Sequence, residues 1–195
     1  MYDNTTLKIL KEIYTSPGIH KRGLSRKLKL TMPSVTNSIN KIKKIIKEEK
    51  SGNQIKYYLD FSKDLLTPML YLVEYNRFME LPSNIKISIK DFLNELDEKP
   101  ILAFIFGSLA RGDYTKDSDI DIFLVYQKTK GIDIENKANQ ISMRTNTKIS
   151  PVYLDYDSFK ESFCNQSKDF FKNIRKNKLL LIGIEYWRLL ENANS

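Results

Sequence analysis

The chain has 195 residues, 41% of them hydrophobic and 29% charged, with one cysteine and a formal net charge of +8. That length supports one or two domains with cores of their own, and the composition excludes an internal disulfide framework and a bilayer-spanning run of roughly 20 apolar residues. With no basic-then-apolar leader pattern at Met1-Tyr2-Asp3-Asn4, a cytoplasmic protein without a membrane partner is expected.

The charge is unevenly placed. Residues 1–60 hold 13 Lys+Arg against 5 Asp+Glu, so the whole excess lies in the first third. A segment that meets a polyanion is expected there, against the plainer reading of a basic solvated surface.

From Thr5 to Tyr14, Leu7, Ile9, Leu10, Ile13 and Tyr14 recur at helical spacing, and Ser16-Pro17-Gly18 stops the helix. A short helix fits Lys21 to Leu28, beside His20, which reads as a phosphate-contacting or solvent-exposed side chain. Pro33 suits the first turn of a third helix, and Val35, Ile39, Ile42 and Ile46 carry that helix to about Glu48. After the turn signal Lys50-Ser51-Gly52-Asn53, the segment Ile55 to Leu59 is β-prone and forms one side of a hairpin.

Three short helices and a hairpin resemble a winged helix-turn-helix domain, here spanning 1–61. The resemblance implies DNA as partner, with the third helix in the major groove and the hairpin on the backbone. Ser34, Thr36, Asn37, Asn40 and Lys41 would then face base edges, and Lys43, Lys44 and Lys56 phosphates. A three-helix domain that binds protein or dimerises is the competing reading, and a homodimer would suit paired half-sites.

Residues 62–83 read as a helical connector whose stripe of Leu65, Leu66, Met69, Leu70, Leu72 and Val73 is interrupted by Pro68. Residues 84–195 form the second domain. Ser88 is the expected cap of a helix through Phe92, Leu93 and Leu96 to about Glu98.

The stretch richest in chemistry starts at Ile101. Six apolar residues end at Gly107-Ser108, a buried strand entering a tight turn where the backbone can approach a ligand closely. A helix starting at Ser108 would aim free N–H groups at phosphate. Asp119-Ile120-Asp121 opens a second strand, Ile122 to Val125, and alternation puts the two carboxylates on one face, about 7 Å apart along the chain. Paired hard oxygen ligands beside a phosphate cradle suit a Mg²⁺-nucleotide site.

Gly-Ser, then Arg-Gly, then Ser-Asp-Ile-Asp before an apolar strand resembles the nucleotidyltransferases of the DNA polymerase beta superfamily, nearest to the minimal members of bacteria and archaea. The resemblance implies an α/β (α+β) fold, a small mixed sheet flanked by helices. It implies that Gly107, Ser108, Arg111 and Ser118 surround an NTP, with ATP expected. Asp119 and Asp121 would be catalytic and hold two Mg²⁺ ions for attack on the α-phosphate. Asp113 and Asp117 read as solvated or turn-forming.

The superfamily pattern also carries a third carboxylate on the next core strand. After a helix from about Ile134 to Thr145, that strand is Lys148 to Leu154, and the place falls near Val152. Asp155, at the strand end, reads instead as the cap of a helix beginning around Ser158. Asp169 to Lys176 reads as a helix, Leu179 to Ile182 as a strand, and a final helix holds Trp187 as a core residue.

Three functions remain open on these residues. One is an enzyme that transfers NMP to a protein, RNA or small-molecule acceptor. Another is a transcriptional regulator whose second domain senses a nucleotide or partner without turnover. A third, by analogy with the minimal members, is an antitoxin-like protein with a protein partner.

Overall fold

The computed structural model describes residues 3–129, 133–164 and 169–194. They divide into two compact units, residues 3–73 with Glu191–Ala193, and Glu74–Leu190 with Asn194. Among the described residues, no helix is long and apolar enough to cross a membrane.

The first unit begins with helix α1 (Asn4–Thr15), whose N-terminus is capped by the Asp3 carboxylate accepting from Thr6 N at 2.7 Å. Two-residue strand β1 (Ile19–His20) leads into α2 (Lys21–Leu28). His20 has a structural task that its basic neighbours conceal: its Nδ1 accepts the Gly23 N–H at 2.8 Å and caps α2. Lys29, in the left-handed region, ends that helix, and α3 (Met32–Ile42) follows with Pro33 in its first turn.

The helix expected to reach Glu48 stops at Ile42. A 3₁₀ turn (Lys43–Ile45) follows, then strand β2 (Ile46–Ser51), which pairs antiparallel with β3 (Gln54–Leu59). The spacing of Ile39, Ile42 and Ile46 imitates a continuing helix. The competing interaction is hairpin pairing: Lys47 meets Tyr58, Glu48 meets Tyr57, and Glu49 faces Lys56, an opposite-charge cross-strand pair. Strand β1 joins on the other side of β3, giving the order β1-β3-β2. Ile9, Leu10, Ile13, Leu24, Val35, Ile39, Ile42, Ile45 and Tyr57 are buried.

Helix α4 (Leu66–Met79) contains the unit boundary. Pro68 lies in its first turn, where a missing N–H is harmless, so it does not break the helix. Leu66, Met69, Leu70 and Val73 are buried, whereas Leu65 and Leu72 from the same apolar stripe are exposed.

In the second unit, α5 (Ser83–Glu95) starts five residues before the expected cap. Pro82 stands at its N-cap position, and Ser88 lies inside the helix, its hydroxyl donating to the Asn84 carbonyl at 2.9 Å. Then come β4 (Leu102–Ile105), α6 (Gly107–Arg111), β5 (Ile120–Tyr126), α7 (Ile134–Thr145) and β6 (Ile149–Asp155). The chain continues through α8 (Tyr156–Cys164), α9 (Asp169–Lys176), β7 (Leu179–Ile182) and α10 (Ile184–Ala193). The four-stranded sheet has order β6-β5-β4-β7; β5 and β6 are parallel, joined through α7, and the other pairs antiparallel. This is a mixed α+β architecture.

Alternation along the strands sorts side chains into two cores. Ile105, Ile120, Ile122, Leu124 and Leu179 join Ile89 and Phe92 of α5 and Ile134 and Ile141 of α7. Phe104 and Phe123 stack at 5.0 Å, Phe159 lies 5.6 Å from Phe123, and Trp187 meets Phe163 edge-on at 5.0 Å. Trp187 is fully buried, so its role is packing.

Candidate nucleotide site

Strand β4 delivers the chain to Gly107 at the end of an entirely buried run, and β5 returns beside it. The Phe106 N–H donates to the Asp121 carbonyl at 3.0 Å, fixing the turn against the start of β5. Gly107 has φ +69°, and a Cβ there would enter the Asp121 carboxylate. Both facts demand glycine. Gly107 also opens α6, one residue earlier than the expected start at Ser108, and the helix is only five residues long.

Ser108 lies on α6, where its carbonyl accepts from Gly112 N and Asp113 N at 2.8 and 3.2 Å, closing the helix. Arg111 donates through Nε to Asp113 at 3.0 Å. Asp113 is thus engaged by Arg111. Ser118 Oγ accepts the Thr115 N–H at 2.8 Å and closes the turn that delivers Asp119.

Asp119 immediately precedes β5, and Asp121 is its second residue. The Asp119 carboxylate accepts from Lys148 Nζ at 2.5 Å and from Ser150 Oγ at 3.2 Å. Its pKa is held below the ordinary value, chiefly by the Lys148 hydrogen bond and further by Ser150. Asp121 is pushed the other way, first by burial and then by the neighbouring Asp119 charge, with Arg111 and Lys148 partly offsetting both. Two carboxylates with opposed environments therefore stand at one strand end.

The parallel register sets Asp121 beside Ser150 and Phe123 beside Val152. Val152 is 39% exposed and offers no oxygen to this face. Asp155 pairs with Tyr126, five residues along from Asp121, about 16 Å at the usual strand rise. Its oxygens accept from Ser158 N and Ser158 Oγ, each at 2.9 Å, at the start of α8. It is a helix cap.

Hard carboxylate oxygens suit Mg²⁺, and Gly107, lacking a side chain, lets the Asp121 carboxylate lie against the turn, so the residues fit a divalent ion. Among the described residues no group of three or more His, Cys, Asp or Glu forms a metal cluster, so the aspartate pair has no third ligand of these types. Beside Asp119 lies an open groove of about 1280 Å³ that includes Asn84, Tyr114, Asn139, Asn146 and Lys148.

Lys148 and Ser150 were not singled out by motif reasoning. The signal was present but indirect: both lie at alternate positions entering the strand after Asp-x-Asp, and only the register brings them to Asp119.

The expected DNA-facing residues lie in the first unit. Asn37, Asn40, Lys41 and Lys44 are exposed, and Ser34, Thr36 and Lys56 half-buried. Lys41 donates to Asp3 at 2.6 Å, and Lys44 belongs to the 3₁₀ turn.

A sheet with glycine-serine at one strand end and an Asp-x-Asp entering the next is the arrangement of a nucleotidyltransferase domain. Residues 86–182 match the nucleotidyltransferase domain family. A protein of Methanocaldococcus jannaschii, named as a candidate protein adenylyltransferase, is 30% identical over 96 residues, covering 96% of that protein and 47% of this chain. A solved structure of a candidate nucleotidyltransferase from Sulfolobus solfataricus covers 55% of this chain and 84% of its own, with 22% identity and a TM-score of 0.31. The chain belongs to the nucleotidyltransferase domain family.

Proposed function

We propose that this chain binds an NTP, with ATP favoured by the likeness to a relative named for adenylyl transfer, and transfers its NMP to an acceptor hydroxyl. The observation that carries this reading is the close approach of the Asp121 carboxylate to the side-chain-free Gly107 turn. Gly107 and Ser108 would receive the β- and γ-phosphates, Arg111 and Ser118 would border them, and Asp119 and Asp121 would hold Mg²⁺. When bound, the ion would neutralise phosphate charge and orient the α-phosphate. The acceptor oxygen bonds to the α-phosphorus as the bond to the β-phosphate oxygen breaks, pyrophosphate leaves, and the hydroxyl proton passes to water. This chain's own residues position and neutralise.

A protein acceptor follows from the likeness to a relative named for protein adenylyl transfer, and the groove beside Asp119 has the amide-rich walls that suit it. Residues 1–61 form, in this proposal, a winged helix-turn-helix that binds DNA: three helices, a hairpin after the third and a small third strand support it, as does the +8 excess. A connector of 62–83 and a nucleotidyltransferase domain of 84–195 complete this division.

One observation favours a second reading. By the family pattern the third carboxylate's place falls near Val152, which pairs with Phe123, so a DNA-binding regulator or antitoxin-like protein that senses a nucleotide or protein partner without transfer is the competitor. Incubation with ATP and Mg²⁺, followed by mass spectrometry of modified proteins, separates the two. Transfer lost in Asp119→Asn/Asp121→Asn supports the enzyme; nucleotide binding with no transfer to any acceptor supports the sensor.

A further inference from the structure

The aspartate pair already has a cation. Lys148 directly precedes β6, and its backbone is fixed: its carbonyl accepts the Ile120 N–H at 2.8 Å, between the two aspartates in sequence. The side chain is 70% exposed yet reaches Asp119 Oδ2 at 2.5 Å, an oxygen shared with Ser150 Oγ. An ammonium at this distance occupies the approach that a divalent ion would use to reach the same oxygen. The neighbouring strand adds no further carboxylate: the β6 positions alongside are Ser150, whose hydroxyl donates to Asp119, and apolar Val152.

Formal charge runs the same way. The two carboxylates carry −2 and Lys148 returns one positive charge, so the ion pair lowers the negative charge available to attract divalent ions. Among the described residues, no third carboxylate, histidine or cysteine joins the pair to hold a second ion.

We propose that Lys148 is a resident counter-cation of the aspartate pair, standing in for one of two metal ions, so that the site takes a single divalent ion centred on Asp121. The proposal rests on the metal-binding reading of Asp119 and Asp121. Lys148 acts here as a positioning and charge-balancing residue.

The test is Mn²⁺ titration of the full chain, read by the electron paramagnetic resonance signal of free Mn²⁺, with and without a non-hydrolysable ATP analogue. Wild type is expected to bind one Mn²⁺ per chain. Lys148→Met should tighten that binding by about fivefold, the scale of a solvent-screened charge pair, while Lys148→Arg retains the wild-type value. Unaltered melting of each variant establishes that the folded chain is being compared. Two Mn²⁺ ions on wild type would overturn the proposal, as would unchanged or weaker binding in Lys148→Met. If Asp119→Asn/Asp121→Asn abolishes Mn²⁺ binding while Lys148→Met leaves it unchanged, only the lysine assignment fails. No Mn²⁺ on any variant removes both this assignment and the metal-dependent reading beneath it.

Discussion

The Asp121 carboxylate fills the volume that a Cβ on Gly107 would need, so the turn after β4 and the start of β5 exclude any larger residue together. Gly107→Ala should destabilise the protein by about 1–2 kcal/mol through its left-handed φ alone. It should also weaken nucleotide binding at least tenfold, because the carboxylate must move. Gly183 supplies the contrast: it too has positive φ, and its Cβ would meet the Ile101 carbonyl. Gly183→Ala should lower the melting temperature and leave nucleotide affinity unchanged in the protein that remains folded. Equal loss of affinity in both would reduce the Gly107 effect to stability.

Asp155 offers a test by pH. Its carboxyl is held below the ordinary value by the Ser158 N–H and hydroxyl. A carboxylate with a depressed folded pKa stabilises above the unfolded value and loses that contribution as pH falls through the folded one. Asp155→Ala should therefore melt below wild type at neutral pH, and the gap should close as pH falls below the ordinary 3.8. A gap independent of pH would rule out the charged cap. Nucleotide affinity should not change, since Asp155 pairs with Tyr126 at the far end of the strand.

For the first unit, Asn37→Ala with Asn40→Ala tests base reading. Both side chains are exposed on α3. Sequence-specific DNA binding should fall by about 1–3 kcal/mol per lost base contact, and non-specific binding should barely change. Equal losses on both kinds of DNA would make the contacts electrostatic only.

Much of this was legible in the residues, and the exceptions share a cause. The run from Ile101 to Gly107 and the alternation after Asp119 specify strands that the fold contains, and α7, α9 and β7 begin and end where their periodicity says. Local pattern failed where a competing hydrogen-bond partner or strand pairing decides. Residues 46–48 leave the helical rhythm because β3 pairs with them. Ser88 resembles a cap until α5 is seen to start at Ser83. His20 among basic residues reads as a phosphate ligand, yet the nearest N–H claims it. At the site, Asp119 and Asp121 are visible as a motif, but Lys148 and Ser150 become neighbours of Asp119 only through the parallel register of β5 with β6.

The central claim is a metal-dependent nucleotide site at the aspartate pair, and calorimetric titration addresses it most directly. ATP and GTP would be titrated, with and without Mg²⁺, into wild type and Asp119→Asn/Asp121→Asn. Binding comes before transfer because a transfer assay also depends on the acceptor chosen. The account predicts Mg²⁺-dependent binding by wild type that is lost in the double variant. Wild type that binds neither nucleotide with Mg²⁺ present, or binding that survives in the double variant, would contradict it.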